Sequence, residues 1–348
     1  MRTLVAILIM LLVALLAGLM VYILARRALL AWIAHTEQRR RQLLHARLEP
    51  WLSGAEAEPP ESLGRLRRWP DRRIFVALCL EHLPGAEPPA RERLLHWLDE
   101  NGFIDRWIAQ LGRRKTWQRE QAAELLGVVR APRSVDALVA ALDDPELDVR
   151  MRAAAALGEL GGERARAALI GALTEENRWS SIRVANLLAG MGPEVVADLL
   201  EAFDGMGRGA RLAAIDVIAR VGDGETGPFF ANLLAAPDAD IRARAAAALG
   251  RIGYRPAADR LIMKLQDPAW PVRAMAAKAL GALGIQAAIP GLQRALRDRE
   301  WWVRANSAQA LRMMGSSGLS ALAAMLHDED RFARDQARAM LIEHEEAS

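Results

Sequence analysis

The sequence predicts an all-α chain, with a single transmembrane helix followed by an α-solenoid of stacked helix–turn–helix units. Three observations carry the prediction. Residues 3–25 form an uncharged apolar run. Glycines recur every 30 or 31 residues from Gly161 to Gly315. Leucine and alanine dominate a composition that is 52% hydrophobic but only 5% aromatic, a balance that favours helix over sheet.

The apolar run, "TLVAILIMLLVALLAGLMVYILA", reaches roughly 34 Å at about 1.5 Å per residue, enough to cross a hydrocarbon core. A signal peptide has an apolar region of about 7–15 residues and a small-residue cleavage site. This run is longer and ends in Arg26-Arg27, so an uncleaved anchor over 1–27 is expected. Arg2 precedes it, whereas Arg26, Arg27, Arg39, Arg40 and Arg41 follow it. The positive-inside rule then places the body of the chain in the cytoplasm. Those five arginines read as a topology signal, with attraction to anionic lipid as the alternative. Ala14 and Gly18 make one small-xxx-small pair that would suit helix packing in lipid.

Residues 28–50 read as a juxtamembrane helix with Leu29, Trp32, Ile33, Leu43 and Leu44 on a loose apolar stripe. Residues 51–116 read as a helical linker or capping region. Its proline-bearing loops are "SGAEAEPPES" (53–62) and "PGAEPPA" (84–90). Asn101-Gly102 closes one of its helices in the usual C-terminal manner.

The solenoid is expected over 117–348. Its glycines fall at Gly161, Gly192, Gly222, Gly253, Gly284 and Gly315, a regularity that means repeated supersecondary units. Val149, Ile241, Val272 and Val303 align. Four and five positions on stand Ala153-Ala154, Ala245-Ala246, Ala276-Ala277 and Ser307-Ala308, and eight on stand Leu157, Leu249, Leu280 and Leu311. These offsets trace one helix face. A preceding helix carries Leu138/Leu142, Leu261/Leu265, Leu292/Leu296 and Leu322/Leu326. One unit alone cannot bury both faces, and stacked units can.

An Asp and an Arg recur six positions apart at Asp144/Arg150, Asp267/Arg273, Asp298/Arg304 and Asp328/Arg334. The outline D-x-x-x-x-V-R-x-x-A-A-x-A-L-G, as in "DDPELDVRMRAAAALG" from Asp143, resembles the HEAT family. Within that family it is similar to the short HEAT-like repeats first associated with phycobilisome lyases. The resemblance implies a right-handed α-solenoid in which Asp and Arg join neighbouring turns in a ladder. It also implies a binding surface more than a reaction, since fold alone does not set function.

The pattern breaks in mid-array. The unit ending at Gly192 has Glu175 and Ser181 in the Asp and Arg columns, and the next keeps Arg211 but has "DGMGRG" (204–209) at its turn. Two readings stand: tolerated drift, or a bend or partner pocket. Tryptophans gather where the second helix begins. Trp270 and Trp301 stand three before the aligned Arg, and Trp302, Trp117 and Trp179 two before the aligned Arg or Ser. They read as turn packing or as aromatic anchors for a protein partner. The candidate contact residues are Trp179, Arg183, Arg208, Arg211, Trp270, Trp301 and Trp302.

No catalytic chemistry is legible. The histidines, His35, His45, His82, His96, His327 and His344, are scattered without metal spacing. No phosphate-binding loop or nucleophile elbow occurs. Cys79 lies in "IFVALCLEHL" and reads as an inert core thiol. No metal, cofactor, small-molecule substrate or enzymatic activity is expected. The net charge of +3 weighs against nucleic acid. Lys115, Lys264 and Lys278 are the only lysines, a bias expected of a GC-rich bacterial genome. The expectation is therefore a membrane-anchored scaffold or adaptor at the bacterial inner membrane. Its partner is expected to be a membrane-associated protein of an envelope, polysaccharide-synthesis or secretion assembly. The alternatives are a bilin-lyase-like or other HEAT-like enzyme, and a nucleic-acid-binding HEAT-like protein.

Overall fold

The computed structural model describes residues 2–53, 69–174 and 181–347. Glu175, Trp179 and most of the loop at 53–62 lie outside the described residues. Among those described, every regular element is helical and there is no strand. The chain divides into two compact units, Met1–Ser134 and Val135–Ser348. The division falls inside the stretch that the repeat pattern assigned to the solenoid.

The first unit holds α1 (Arg2–Leu52), α2 (Trp69–His82), α3 (Pro88–Glu100), α4 (Phe103–Gln110) and α5 (Thr116–Val129). Residues 28–50 continue α1 without a break. Its last turns bury Leu44, Leu48 and Trp51, and α2, which packs on it, buries Phe75, Leu78 and Cys79. Burial in this apolar setting pushes the Cys79 thiol pKa up, which keeps it protonated and unreactive. Aromatic rings tie the unit together. Phe75 meets Trp97 edge-on at 4.6 Å, Trp97 stacks on Phe103 at 5.7 Å, and Phe103 meets Trp107 at 6.0 Å. Farther toward the N-terminus the described side chains of α1 are exposed. Leu16, Leu19, Met20, Tyr22, Leu24 and Trp32 are exposed. By length and composition Gly18–Leu52 is long and apolar enough to cross a membrane.

The second unit alternates first helices with second helices. The first helices are α6 (Val135–Ala141), α8 (Glu163–Thr174), α10 (Val195–Ala202), α12 (Gly227–Leu233), α14 (Ala258–Lys264), α16 (Ile289–Ala295) and α18 (Ser316–Ala324). The second helices are α7 (Leu147–Leu160), α9 (Ser181–Gly190), α11 (Arg208–Val221), α13 (Ala239–Ile252), α15 (Trp270–Leu283), α17 (Trp301–Met313) and α19 (Arg331–Ala347). Successive second helices pack side by side, and each packs on its own first helix. The repeat columns are the core. Val149, Val272 and Val303, the paired small residues from Ala153 to Ala308, and Leu157, Leu249, Leu280 and Leu311 are all fully buried. Ser307 is tolerated there because its hydroxyl donates to the Val303 carbonyl at 2.7 Å. In the last unit the chain tightens into a 3₁₀ turn, so Met325 is buried and Leu326 only half-buried.

Two kinds of glycine shape the stack. Gly161, Gly192, Gly253, Gly284 and Gly315 have positive φ and end their units, whereas Gly222 is extended, with φ −78°. At Gly222 the constraint is steric, because a Cβ would come within 2.6 Å of the Ile218 carbonyl. Gly250 and Gly281 sit instead where helices touch. A Cβ on Gly281 would lie 2.6 Å from Ala310 Cα, and one on Gly250 2.8 Å from Ala279 Cα. Gly281→Ala is therefore expected to destabilise by about 1–2 kcal/mol, overpacking outweighing the gain in helix propensity. Exposed Gly171 in α8 has open space where a Cβ would stand, with nothing within 4 Å, so Gly171→Ala is expected to be neutral or stabilising. Parallel urea denaturation of the two variants checks this, and equal midpoints would refute the close-approach argument.

Candidate functional site

Among the described residues, the turns at the start of the second helices form one edge of the second unit, and arginine side chains organise it. Arg273 donates through Nη1 to the carbonyls of Asp267 (2.9 Å) and Pro268 (3.1 Å), fixing its own turn. Its Nε and Nη2 then form a fork on the Asp298 carboxylate of the next unit, at 2.6 and 2.9 Å. Arg242 repeats the arrangement, with Nη1 on Ala236 and Pro237 at 2.8 Å each and the fork on Asp267 at 2.9 Å twice. Such bidentate, charge-assisted bonds are the strong class. Arg150, Arg304 and Arg334 make the same carbonyl bonds. The ladder changes at the last rung. Arg304 lies 4.8 Å over the Phe332 ring, and Asp328 is bound by Arg297 at 2.9 Å.

Each ladder aspartate also closes its own turn. Asp267 accepts from Ala269 N at 3.1 Å and Asp298 from Glu300 N at 2.9 Å. Burial works against ionisation of both. The arginine forks and these N–H groups outweigh it, holding both carboxyls below the usual carboxylate range. Because the folded state binds these protons less readily than the unfolded chain, the stabilisation is fully present above about pH 4. It is lost as pH falls through the lowered folded values. The melting temperature is expected to drop steeply below about pH 4, and less so in Asp298→Asn, which a pH series by calorimetry measures.

At the expected break the rung is rebuilt with different residues. Arg211 reaches back to Phe203 O (3.2 Å) and Asp204 O (2.7 Å), with its guanidinium 5.6 Å over the Phe203 ring. Arg208 binds Asp238 at 2.6 Å and also pairs with Asp240. The Arg208 bond, ahead of burial and the backbone bonds, holds the Asp238 carboxyl low. A cleft of about 470 Å³ opens here, with Arg208, Arg211, Asn232, Ala236 and Asp238 among the residues lining it.

The tryptophans Trp270, Trp301 and Trp302 lie on the same edge and are 40%, 54% and 56% exposed. The last two meet edge-on at 4.7 Å. Exposed Leu147 and Phe332 continue the row at the aligned helix starts, and a pattern traced through tryptophan alone misses both. Trp117 is exposed in the first unit, and Arg183 is exposed in the second. Trp179 lies outside the described residues. On α1, Arg26, Arg27, Arg39 and Arg40 are exposed and Arg41 pairs with Glu81. The unbroken helix puts Arg39–Arg41 roughly 18–21 Å beyond Arg27 at about 1.5 Å per residue.

One repeat-type pair lies outside the columns that the sequence pattern picked out. Arg91 donates to Leu83 O at 3.0 Å, eight residues back, as Arg211 does to Phe203. The signal was present, since "LPGAEPPAR" (83–91) and "FDGMGRGAR" (203–211) share Gly85/Gly205, Ala90/Ala210 and Arg91/Arg211. The region expected only as linker or cap thus carries the same wide turn, in which the arginine bonds a carbonyl eight residues back where Arg273 bonds one six back.

The family described as HEAT repeats matches residues 104–189, 196–268 and 258–342. No curated protein matches the chain. Among solved structures, an engineered protein is 16% identical and covers 88% of this chain and 94% of its own, with TM-score 0.37. The complex of CpcE and CpcF of phycocyanin lyase from Nostoc sp. is 23% identical over 69% of this chain and 94% of its own, with TM-score 0.32. Human deoxyhypusine hydroxylase in complex with glycerol is 24% identical over 78% and 96%, with TM-score 0.32.

Proposed function

This chain belongs to the HEAT-repeat family, and from that premise we propose that it is a membrane-anchored scaffold or adaptor that holds a protein partner at the bacterial inner membrane. What carries the reading is unpartnered apolar surface. Among the described residues, the α1 side chains from Gly18 to Ile33 are all exposed, and Gly18–Leu52 is long and apolar enough to cross a bilayer. The helix starts of the second unit expose Trp270, Trp301 and Trp302 on one edge. Rigid aromatics beside arginines are favoured anchors for protein partners. HEAT-type arrays present extended binding surfaces. The anchor raises the partner's effective concentration by confining it to a thin layer. The arginine count on either side of the apolar run supports a cytoplasmic array. An integral-membrane enzyme, or an envelope, polysaccharide-synthesis or secretion assembly, is the partner class that suits this location.

Co-purification in mild detergent tests the proposal. Wild type is expected to recover one defined membrane partner at fixed stoichiometry. The double variant Trp270→Ala, Trp301→Ala is expected to lose at least about tenfold of it with an unchanged helical signal. Equal recovery from both proteins would retire the aromatic edge as the contact.

A further inference from the structure

The two forked rungs share one spacing. Asp267 stands 25 residues beyond Arg242, and Asp298 stands 25 beyond Arg273. The residue 25 beyond Arg211 is Ala236. Among the described residues no carboxylate reaches Arg211, whose donors go to the Phe203 and Asp204 carbonyls. Asp238, two positions along, is held by Arg208 and closes the start of α13 by accepting from Asp240 N at 2.8 Å. The cleft of about 470 Å³ opens beside Ala236, with Arg211 and Asn232 on its wall.

Resting on the scaffold reading, we propose that this cleft binds a glutamate or aspartate side chain from an acidic segment of the partner protein, completing in trans the rung that Ala236 leaves open. Arg211 has Nε and Nη2 on the Phe203 and Asp204 carbonyls, so it offers Nη1 to an incoming carboxylate for a charge-assisted bond, where Arg242 and Arg273 offer Nε and Nη2. Asp204 and Asp238 also line the cleft and repel a doubly charged phosphate more strongly than a singly charged carboxylate.

Full-length protein in detergent is titrated with an N-acetylated hexaglutamate peptide and its hexaglutamine counterpart, at low ionic strength where surface charge is least screened. The expected result is at least about tenfold tighter binding of hexaglutamate. Ala236→Asp supplies the carboxylate in cis. It is expected to raise the melting temperature and to weaken hexaglutamate binding about tenfold. Arg211→Gln is expected to weaken binding to a similar extent while keeping the helical signal. Equal affinity for the two peptides, or hexaglutamate binding unchanged in Ala236→Asp, overturns the inference. The titration contains no partner protein. Its failure therefore leaves the scaffold reading standing, and failed co-purification leaves the peptide result standing.

Discussion

Asp298→Ala is expected to destabilise the second unit by about 3–5 kcal/mol, because it strands a buried cation. The Arg273 side chain is only 10% exposed, and Asp298 supplies both acceptors of its fork. The carbonyls of Asp267 and Pro268 still engage Nη1, but Nε and Nη2 are left facing a cavity. An exposed pair sets the contrast. Arg164 and Asp136 are 72% and 79% exposed, so Asp136→Ala is expected to change stability by less than about 1 kcal/mol. Chemical denaturation, with hydrogen exchange on α15 and α17 to localise the loss, distinguishes the two. Arg273→Met on the Asp298→Ala background is expected to restore part of the stability by removing the stranded charge. If Asp298→Ala unfolds at the same denaturant concentration as Asp136→Ala, the forked rungs contribute nothing beyond surface pairing.

Deleting residues 2–27 is expected to move the protein wholly from the membrane fraction to the soluble one. The lost segment contains the 23-residue uncharged run, and insertion of such a helix is effectively irreversible. Circular dichroism of the truncated protein is expected to keep the signal of the second unit, Val135–Ser348, which is a compact unit of its own. Recovery of the full-length chain in an alkaline carbonate wash would sink the anchor. The basic flank gives a finer test. Removing Arg26 and Arg27 together is expected to weaken the orientation preference without releasing the chain from the membrane.

The array was legible in the sequence because its core is written in columns. A residue such as Ala277 or Leu280 has its role set by periodicity alone, and both are fully buried. The carbonyl bonds of the ladder arginines were not legible, since an Asp–Arg spacing of six does not say that the arginine bonds the aspartate's backbone while its fork goes to the next unit. The replacement of Asp328's expected partner by Arg297 was hidden for the same reason, because turn residues choose partners by geometry in space. Ala236 stands six before Arg242 and so was readable as a missing aspartate, whereas its 25-residue step from Arg211 was not. The wide-turn likeness between residues 83–91 and 203–211 went unseen because it spans 120 positions and contains no tryptophan or Val-Arg pair.

The two jobs of Arg242 and Arg273 make their stretch of the array modular in length. Their carbonyl bonds are internal to a unit, and the carboxylate acceptor of each arrives 25 residues on. Excising the 31 residues from Asp267 to Arg297 would set Asp298 where Asp267 stood relative to Arg242. The joint would close on an identical rung. A stretch of array built this way can shorten or lengthen by whole cassettes with the Arg242 rung kept, while this excision also removes Arg297 and with it the fastening of Asp328.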